Sequence, residues 1–438
     1  MRTVSPARVV TASEVVAADL SPRVQEALGD LVGAAKEGLL ALSVGVGLGV
    51  MESLMAEEVD ELCGPKGRHD PDRSAYRHGS EQGSVTLGGR RVPVTKPRVR
   101  ATDGGGELPL SSYRHFAGRD PLTAVVLERM LAGVSTRRYT RLQEPVGSEV
   151  EETAKSTTKS SVSRTFVART KQTLIELMSR RLDDIRLAVL MIDGIDLKGR
   201  TNVVALGIST DGVKIPLGLW EGSSENKTVA SALLSDLVDR GLDTEQGVLV
   251  VLDGAKALRA AVNKVLGART PVQRCIRHKE RNVLDHLPEE MRDTVERRLR
   301  GAWALTSYDQ ALDRLRRLAS ELEQSHPGAA ASLREGMEET LTVIKLGITG
   351  KLKQTIESTN PCESMIECIR RSARNVKNWS SGEMAMRWTA AGMLEAEKQF
   401  RRVKGHAELA DLAVAVERHL NPPQPKPVTS HQTDMVTA

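Results

Sequence analysis

The sequence predicts a mixed α/β fold, and three observations carry that expectation. Two apolar, strand-like runs, Leu187 to Ile192 and Val248 to Leu252, end in the same dipeptide, Asp193-Gly194 and Asp253-Gly254. Around them the pattern reads strand, strand, strand, helix, strand: Leu187 to Ile192, Asn202 to Ile208, Lys214 to Trp220, Thr228 to Leu242 and Gly247 to Leu252. Far downstream, Thr359-Asn360-Pro361-Cys362-Glu363 opens a helix with its own capping signal.

That order of elements is the one found in RNase H-like cores, in which the first and fourth strands lie parallel and adjacent. Asp193 and Asp253 are therefore expected to emerge side by side. Thr210-Asp211-Gly212 is the hairpin turn between the second and third strands. Pro271 to Ile276 adds a further strand-like piece. The charged segment from Glu280 to about Leu341 carries Leu284, Leu287, Met291, Leu299, Leu312 and Leu315 at apolar positions, and reads as a helical insertion. A long helical stretch from Glu363 to about Val403 completes the core. The proline-rich tail from Asn421 to Pro427 suits disorder.

Upstream, Ser13 to Glu61 reads as helical. Gly64 to Arg100 then turns to glycine, arginine and alternating apolar residues around Gly88-Gly89, a hairpin signature. Pro121 begins a helix that stops at Gly133, Ser135-Thr136 can cap a short one, and Ser160 opens another that runs to about Leu182. Helices separated by a glycine turn fit a helix-turn-helix reader of DNA, with Ser163 and Arg164 on its last helix. The competing reading is a spacer in which Val162, Phe166, Leu174 and Leu177 simply pack. The expected segments are a helical region (1–62), a basic hairpin and linker (63–118) and a mostly helical DNA-binding region (119–183). They are followed by a core in two parts (184–285 and 346–404), interrupted by the insertion (286–345), and by a C-terminal helix and tail (405–438).

Sixty-two Lys and Arg against 57 Asp and Glu give a net charge of +5, so distribution matters more than the total. Between Arg90 and Arg100 no acid interrupts the basic residues, which suits a phosphate backbone and makes Arg98 and Arg100 candidate contacts. Four cysteines without paired spacing point to a reducing compartment. The uncharged run from Gly38 to Met51 is too short and glycine-rich to span a bilayer, and no signal peptide is read, so a cytoplasmic protein is expected.

An acid ending a buried strand is costly unless solvated, paired or bound to a cation. Three converging carboxylates would hold Mg²⁺ or Mn²⁺, the equipment for two-metal phosphodiester chemistry. Asp-Gly is also a common hairpin turn. The pair gains weight because each is expected to be followed by something other than an immediate return strand: Ile195-Asp196-Leu197-Lys198 in one case, helical Ala255 to Arg259 in the other. Asp196 is a rival ligand of second rank, since three positions along an extended chain it faces the other way from Asp193. Glu363 has an alternative too. With Asn360 as N-cap and Pro361 as the first helical residue, it would be the third position of a capping box. Arg370, Arg374 and Lys377 recur at helical spacing and would place cations beside a phosphate site. Cys275 and His278 offer two metal ligands without a second pair, so a hydrogen-bonding role at the site's edge is expected. Trp379 and Trp388 are expected in the core.

The chain resembles bacterial insertion-sequence transposases of the IS256 (Mutator-like) family, a branch of the DDE transposases. The resemblance rests on Ala132-Gly133-Val134-Ser135-Thr136-Arg137, Ser161-Val162-Ser163-Arg164, Ile192-Asp193-Gly194 and Leu252-Asp253-Gly254-Ala255. It continues through Arg274-Cys275-Ile276-Arg277-His278-Lys279, Arg281-Asn282-Val283-Leu284 and Ser358-Thr359-Asn360-Pro361-Cys362-Glu363-Ser364-Met365, in the family's order from about Gly64 to Arg402. It implies that Asp193, Asp253 and Glu363 are the catalytic triad, holding two Mg²⁺ or Mn²⁺ ions. Cys275 and His278 would be the Cys-x-x-His element, which with Asn360 supports the site. Its partners would be double-stranded DNA, both the element's terminal inverted repeats and the target, in a nucleoid-associated bacterial protein at least dimeric on DNA and without a membrane. Water would cut the strand, and the 3′-hydroxyl produced would attack target DNA. Glu357 departs from the family, where many relatives carry arginine, and puts one DNA contact in doubt. Two other classes are a transposase-derived DNA-binding regulator that no longer cuts and an ATPase of the sugar-kinase type. The second glycine-rich phosphate loop that an ATPase needs is not found.

Overall fold

The computed structural model describes residues 39–68, 73–87, 90–117, 123–135, 152, 158–222 and 226–422. The chain forms two units, residues 1–169 and 170–438.

In the first unit, helix α1 (Leu39–Cys63) packs on a sheet of β1 (Ala75–Leu87), β2 (Arg90–Ala101) and the short β3 (Glu107–Leu108), ordered β1-β2-β3. Met51, Met55, Val59 and Cys63 recur every four residues along α1 and are buried with Val85 and Val99 of the strands. The expected hairpin is present, with Val85 opposite Val92 and Leu87 opposite Arg90. Its Gly88-Gly89 turn lies outside the described residues, as do the part of the expected N-terminal helices before Leu39, Pro121, the Thr136 cap and the tail beyond Pro422. The basic run of β2 is uninterrupted in sequence but not in space. Arg98 donates to both oxygens of Glu107 on β3 (3.1 and 2.8 Å), and Lys96 pairs with Glu81 on β1 at 2.6 Å. Arg100 is exposed.

Helix α2 (Ser111–Ala117) and helix α3 (Thr123–Leu131) follow, the latter ending just before Gly133, whose φ of +92° is the left-handed conformation that glycine adopts without strain. Helix α4 (Lys159–Ser179) follows. Val162, Phe166 and Leu177 are buried, while Ser163 and Arg164 are exposed.

The second unit is built on a five-stranded sheet ordered β6-β5-β4-β7-β8. Strands β4 (Leu187–Asp196), β5 (Thr201–Ser209) and β6 (Lys214–Gly222) pair antiparallel, whereas β7 (Leu249–Leu252) and β8 (Val272–Arg274) run parallel to β4. The near-continuous apolar run of β4 is what a central strand covered on both faces requires. Contrary to expectation, β4 does not stop at Ile192. It continues through Asp193, opposite Val204, to Asp196 and returns directly into β5. The turn is closed by Leu197 N–H on Arg200 O (2.8 Å) and by Gly199 N–H on Asp196 Oδ1 (3.0 Å). Asp196 is exposed and Asp193 buried, as strand alternation demands of positions three apart.

Helix α5 (Lys227–Asp239) is N-capped by Asn226, whose Oδ1 accepts from Thr228 N and Val229 N, and helix α6 (Lys256–Val265) follows β7. Leu233 and Leu237 of α5 and Leu258 and Val262 of α6 share a core with Leu190 and Val250 of the sheet. Between β8 and the later helices lie α7 (Ile276–Leu284), α8 (Glu289–Trp303), α9 (Tyr308–Ser325), α10 (Pro327–Arg334), a 3₁₀ turn (Glu338–Leu341), α11 (Thr342–Lys345) and α12 (Gly350–Ile356), a helical insertion wider at both ends than the expected 286–345. It has its own core around Trp303, whose Nε1 donates to Thr340 Oγ1 at 3.1 Å.

The single helical stretch expected after Glu363 is two helices, α13 (Asn360–Ala373) and α14 (Gly382–Glu397), before α15 (Leu409–Leu420). The break falls where Ser381, in extended conformation, caps α14 through Met384 N. Trp379 and Trp388 are buried edge to face, with centroids 6.5 Å apart. Helix α14 lies so close to α13 that a Cβ on Gly392 would sit 2.8 Å from Ile369 Cα. Gly392→Ala is therefore expected to destabilise the protein by about 1–3 kcal/mol, because backbone rather than a flexible side chain must yield. Urea unfolding measures this, and an unchanged midpoint would show that the two helices are free to separate. No described helix is long and apolar enough to cross a membrane.

Candidate active site

Parallel pairing sets Ile192 beside Leu252, so Asp193 and Asp253 occupy the next positions on neighbouring strands, as the sequence reading expects. The two carboxylates are held differently. Asp193 is only 7% exposed and its Oδ1 accepts from Gly194 N, whereas half-buried Asp253 follows β7 and accepts from Ala255 N, both at 2.8 Å. Gly254 has φ +108°, and a Cβ there would lie 2.9 Å from Arg274 Nε, so the Asp-Gly step is required after Asp253 for both conformation and space.

The third acid arrives through Cys275, the residue preceding α7. Its N–H donates to Leu252 O at the end of β7 (2.7 Å), and its Sγ accepts from Thr359 N at 3.4 Å. The next residue, Ile276, donates its N–H to Glu357 O at 3.1 Å. The start of α13 is thereby tied to the strand end that carries Asp253.

The N-cap of α13 is Thr359, not Asn360. Asn360 is its first helical residue and Glu363 its fourth, with no side-chain cap bond. The expected capping box is absent because Asn360 already lies inside the helix, one position too late to cap it, and the Thr359 hydroxyl lies 3.2 Å from Glu363 Oε1 and 3.5 Å from both Cys275 Sγ and His278 Nδ1. His278 Nε2 is 3.7 Å from Glu363 Oε1.

A cleft of about 550 Å³ opens here, lined by Asp193, His278, Arg281, Asn360, Glu363 and Arg370, with Glu367 also on its wall. Of the expected cationic series, Arg370 faces the cleft, Arg374 is the C-cap of α13, and Lys377 lies beyond the helix, so the helical spacing fails for its last member. Ser163, Arg164, Arg98 and Arg100 belong to the first unit. Glu357 pairs with buried Lys353 at 3.0 Å.

Burial pushes the Asp193 carboxyl up to about 6, and the charges of Asp253 and Glu363 add to this against the pull of His278 and Gly194 N–H. His278 is raised mainly by its hydrogen bond with Cys275, against burial, with the negative charges of Asp193 and Asp253 assisting. Burial of the Cys275 thiol is outweighed by hydrogen bonds with His278 and Thr359, which hold it below its usual value. Mutually repelling carboxylates around a buried oxygen donor fit a hard divalent cation, which would relieve exactly that repulsion without needing a softer ligand. Arg281 on the cleft wall and fully buried Thr359 beside Glu363 have no chemical role in the sequence reading. Arg281 could have been found from its place three residues after His278 on one helix face, and Thr359 only from the fold.

Residues 32–403 match a family described as "Transposase, Mutator family". The chain is 26% identical over 366 residues to a protein of Rhizobium meliloti (strain 1021) described as "Transposase for insertion sequence element ISRM5", covering 83% of this chain and 89% of that one. It is 25% identical over 339 residues to the "Transposase for insertion sequence element IS256 in transposon Tn4001" of Staphylococcus aureus, covering 75% and 83%. With the "Transposase for insertion sequence element IS1081" of Mycobacterium tuberculosis (strain ATCC 25618 / H37Rv), identity is 30% over 335 residues, or 73% and 76% of the two chains.

Proposed function

The chain belongs to the Mutator family of transposases, of the IS256 type, and from that premise we propose that it cuts and joins DNA at the ends of its own insertion sequence. Asp193, Asp253 and Glu363 are the catalytic acids of this reading. The observation that carries it is Asp193, a carboxyl nearly out of water and pushed up to about 6, beside two further acids and on a cleft also lined by Arg281 and Arg370. The sheet order, with β4 between an antiparallel hairpin and parallel β7, supports an RNase H-like core.

The three carboxylates would hold two Mg²⁺ or Mn²⁺ ions, which when bound supply Lewis-acid stabilisation of the scissile phosphate. Arg281 and Arg370 flank the acids and grip the DNA backbone. His278, kept in its charged form at neutral pH, offsets part of the acids' charge, and Thr359 fixes the rotamer of Glu363. Asn360 borders the entrance. Duplex DNA is the partner, and joining two element ends calls for at least a dimer.

The test is a duplex carrying the element's terminal inverted repeat. Cleavage is expected at the element boundary with Mg²⁺ or Mn²⁺, and none with chelator or on a random end. Specific binding without metal-dependent cutting would replace the enzyme by a silent DNA-binding regulator.

Recognition is assigned to the exposed face of α4, with Ser163 and Arg164. Arg164→Ala is expected to weaken binding to the specific end by about 1–3 kcal/mol and leave random duplex nearly unaffected. Arg100→Ala should weaken every duplex and flatten the salt dependence. Arg98→Ala should do so less, because Glu107 already occupies its guanidinium. Arg374 and Lys377 are assigned to the same non-specific backbone contact. Equal losses on specific and random DNA from Arg164→Ala would reduce that residue to a phosphate contact.

A further inference from the structure

A second kind of ligand set shares Glu363. Cys275 Sγ, a His278 ring nitrogen and a Glu363 carboxylate oxygen all lie within 4.8 Å of one another. The sequence offers Cys275 and His278 as two donors with no partner pair, and folding supplies the third from far along the chain. We infer that this corner binds a thiophilic divalent cation, Zn²⁺ or Co²⁺, and that the bound ion blocks DNA cleavage by claiming Glu363. The binding site stands on geometry alone. Its effect on cleavage rests on the catalytic reading above.

One sulfur, one nitrogen and one oxygen, with a fourth position left to solvent, is the composition of an accessible zinc site. Thiolate and imidazole select Zn²⁺ over Mg²⁺, whereas the purely carboxylate pair Asp193 and Asp253 does not. The entry path is the cleft, which His278 and Glu363 line while Cys275 is fully buried behind them. The Thr359 hydroxyl, 3.2–3.5 Å from a donor side chain in each case, supplies the outer contact that orients ligands in such sites. Cation binding releases the protons of both the Cys275 thiol and the His278 ring to solvent, because only a thiolate and a neutral imidazole can ligate the ion. Cys362 does not compete for the ion. It is fully buried, and burial together with the charges of Asp193 and Glu363 keeps its thiol protonated.

The experiment titrates metal-free, full-length protein with Co²⁺ in the absence of DNA. A thiolate-to-cobalt charge-transfer band is expected, saturating at one equivalent and bleached by one equivalent of Zn²⁺. Cys275→Ser should abolish the band and Cys368→Ser should keep it. Glu363→Gln, which does not depend on the buried thiol for folding, should weaken Co²⁺ binding by more than about tenfold. No band in the wild type, or a band that survives Cys275→Ser, overturns the site. In the same preparation Zn²⁺ should inhibit Mg²⁺-supported cleavage by the wild type, reversibly on chelation. Cobalt binding without such inhibition overturns the competition, and a protein that binds cobalt but never cuts DNA overturns the catalytic reading while leaving the site in place.

Discussion

Asp193→Asn is expected to abolish strand cleavage while making the metal-free protein more stable. Both effects come from one carboxyl. Removing a ligand charge from the acid cluster should cost about three or more powers of ten in cleavage rate, with end binding intact. The stability effect follows from linkage. The Asp193 carboxyl ionises at about 6 in the folded chain against an ordinary 3.8, so between those values the folded state holds a proton that the unfolded state has released. Stability therefore falls as pH rises through that window and stays lowered above it. At neutral pH the deficit is on the order of 3 kcal/mol, and asparagine removes it while keeping the oxygen that accepts from Gly194 N. Thermal unfolding in chelator at neutral pH should show the gain, and the gap should close as the pH approaches the ordinary carboxylate range. Near-normal cleavage by the asparagine variant in Mg²⁺ would remove Asp193 from the site. A loss of stability instead of a gain would contradict the burial argument.

Glu363→Gln is expected to leave folding intact and cleavage nearly abolished. Glutamine keeps the side chain's shape and an oxygen that can accept from the Thr359 hydroxyl. No capping box is lost, so the stability change should stay within about 1 kcal/mol. What disappears is the negative charge that a hard cation needs. Unfolding and end cleavage measured on one preparation decide the matter. Substantial cutting by the glutamine variant would move the third acid to Glu367, one helical turn on and on the same cleft wall.

Local periodicity made much of this legible. The run of strands, the helix after the third strand and the adjacency of Asp193 and Asp253 follow from apolar patterns a few residues long and from the parallel register those elements adopt. What the sequence hid is non-local. Nothing before Asp193 signals that β4 continues, because that depends on pairing with β5, and the turn at Lys198 and Gly199 carries no strong hairpin dipeptide. The pairing of Arg98 with Glu107 is set by strand neighbours, so a stretch free of acids in sequence is not free of them in space. Thr359 fits a cap by its type and position, yet its hydroxyl turns toward three side chains, two of which come from residues over 80 positions earlier. Arg281 sat inside a recognised motif without a role, since its direction depends on where α7 starts.

The double tie made by Cys275 also sets an order of assembly. Its backbone needs the end of β7 and its sulfur needs Thr359, with the whole helical insertion lying between. During synthesis the central sheet can form with both aspartates in place while Thr359 and Glu363 are still to come, and the insertion has its own core to fold in the meantime. The cleft is then closed last, by the arrival of α13. A nascent or truncated chain ending within the insertion would carry the first unit and both aspartates but lack Glu363 and the cleft wall that α13 supplies.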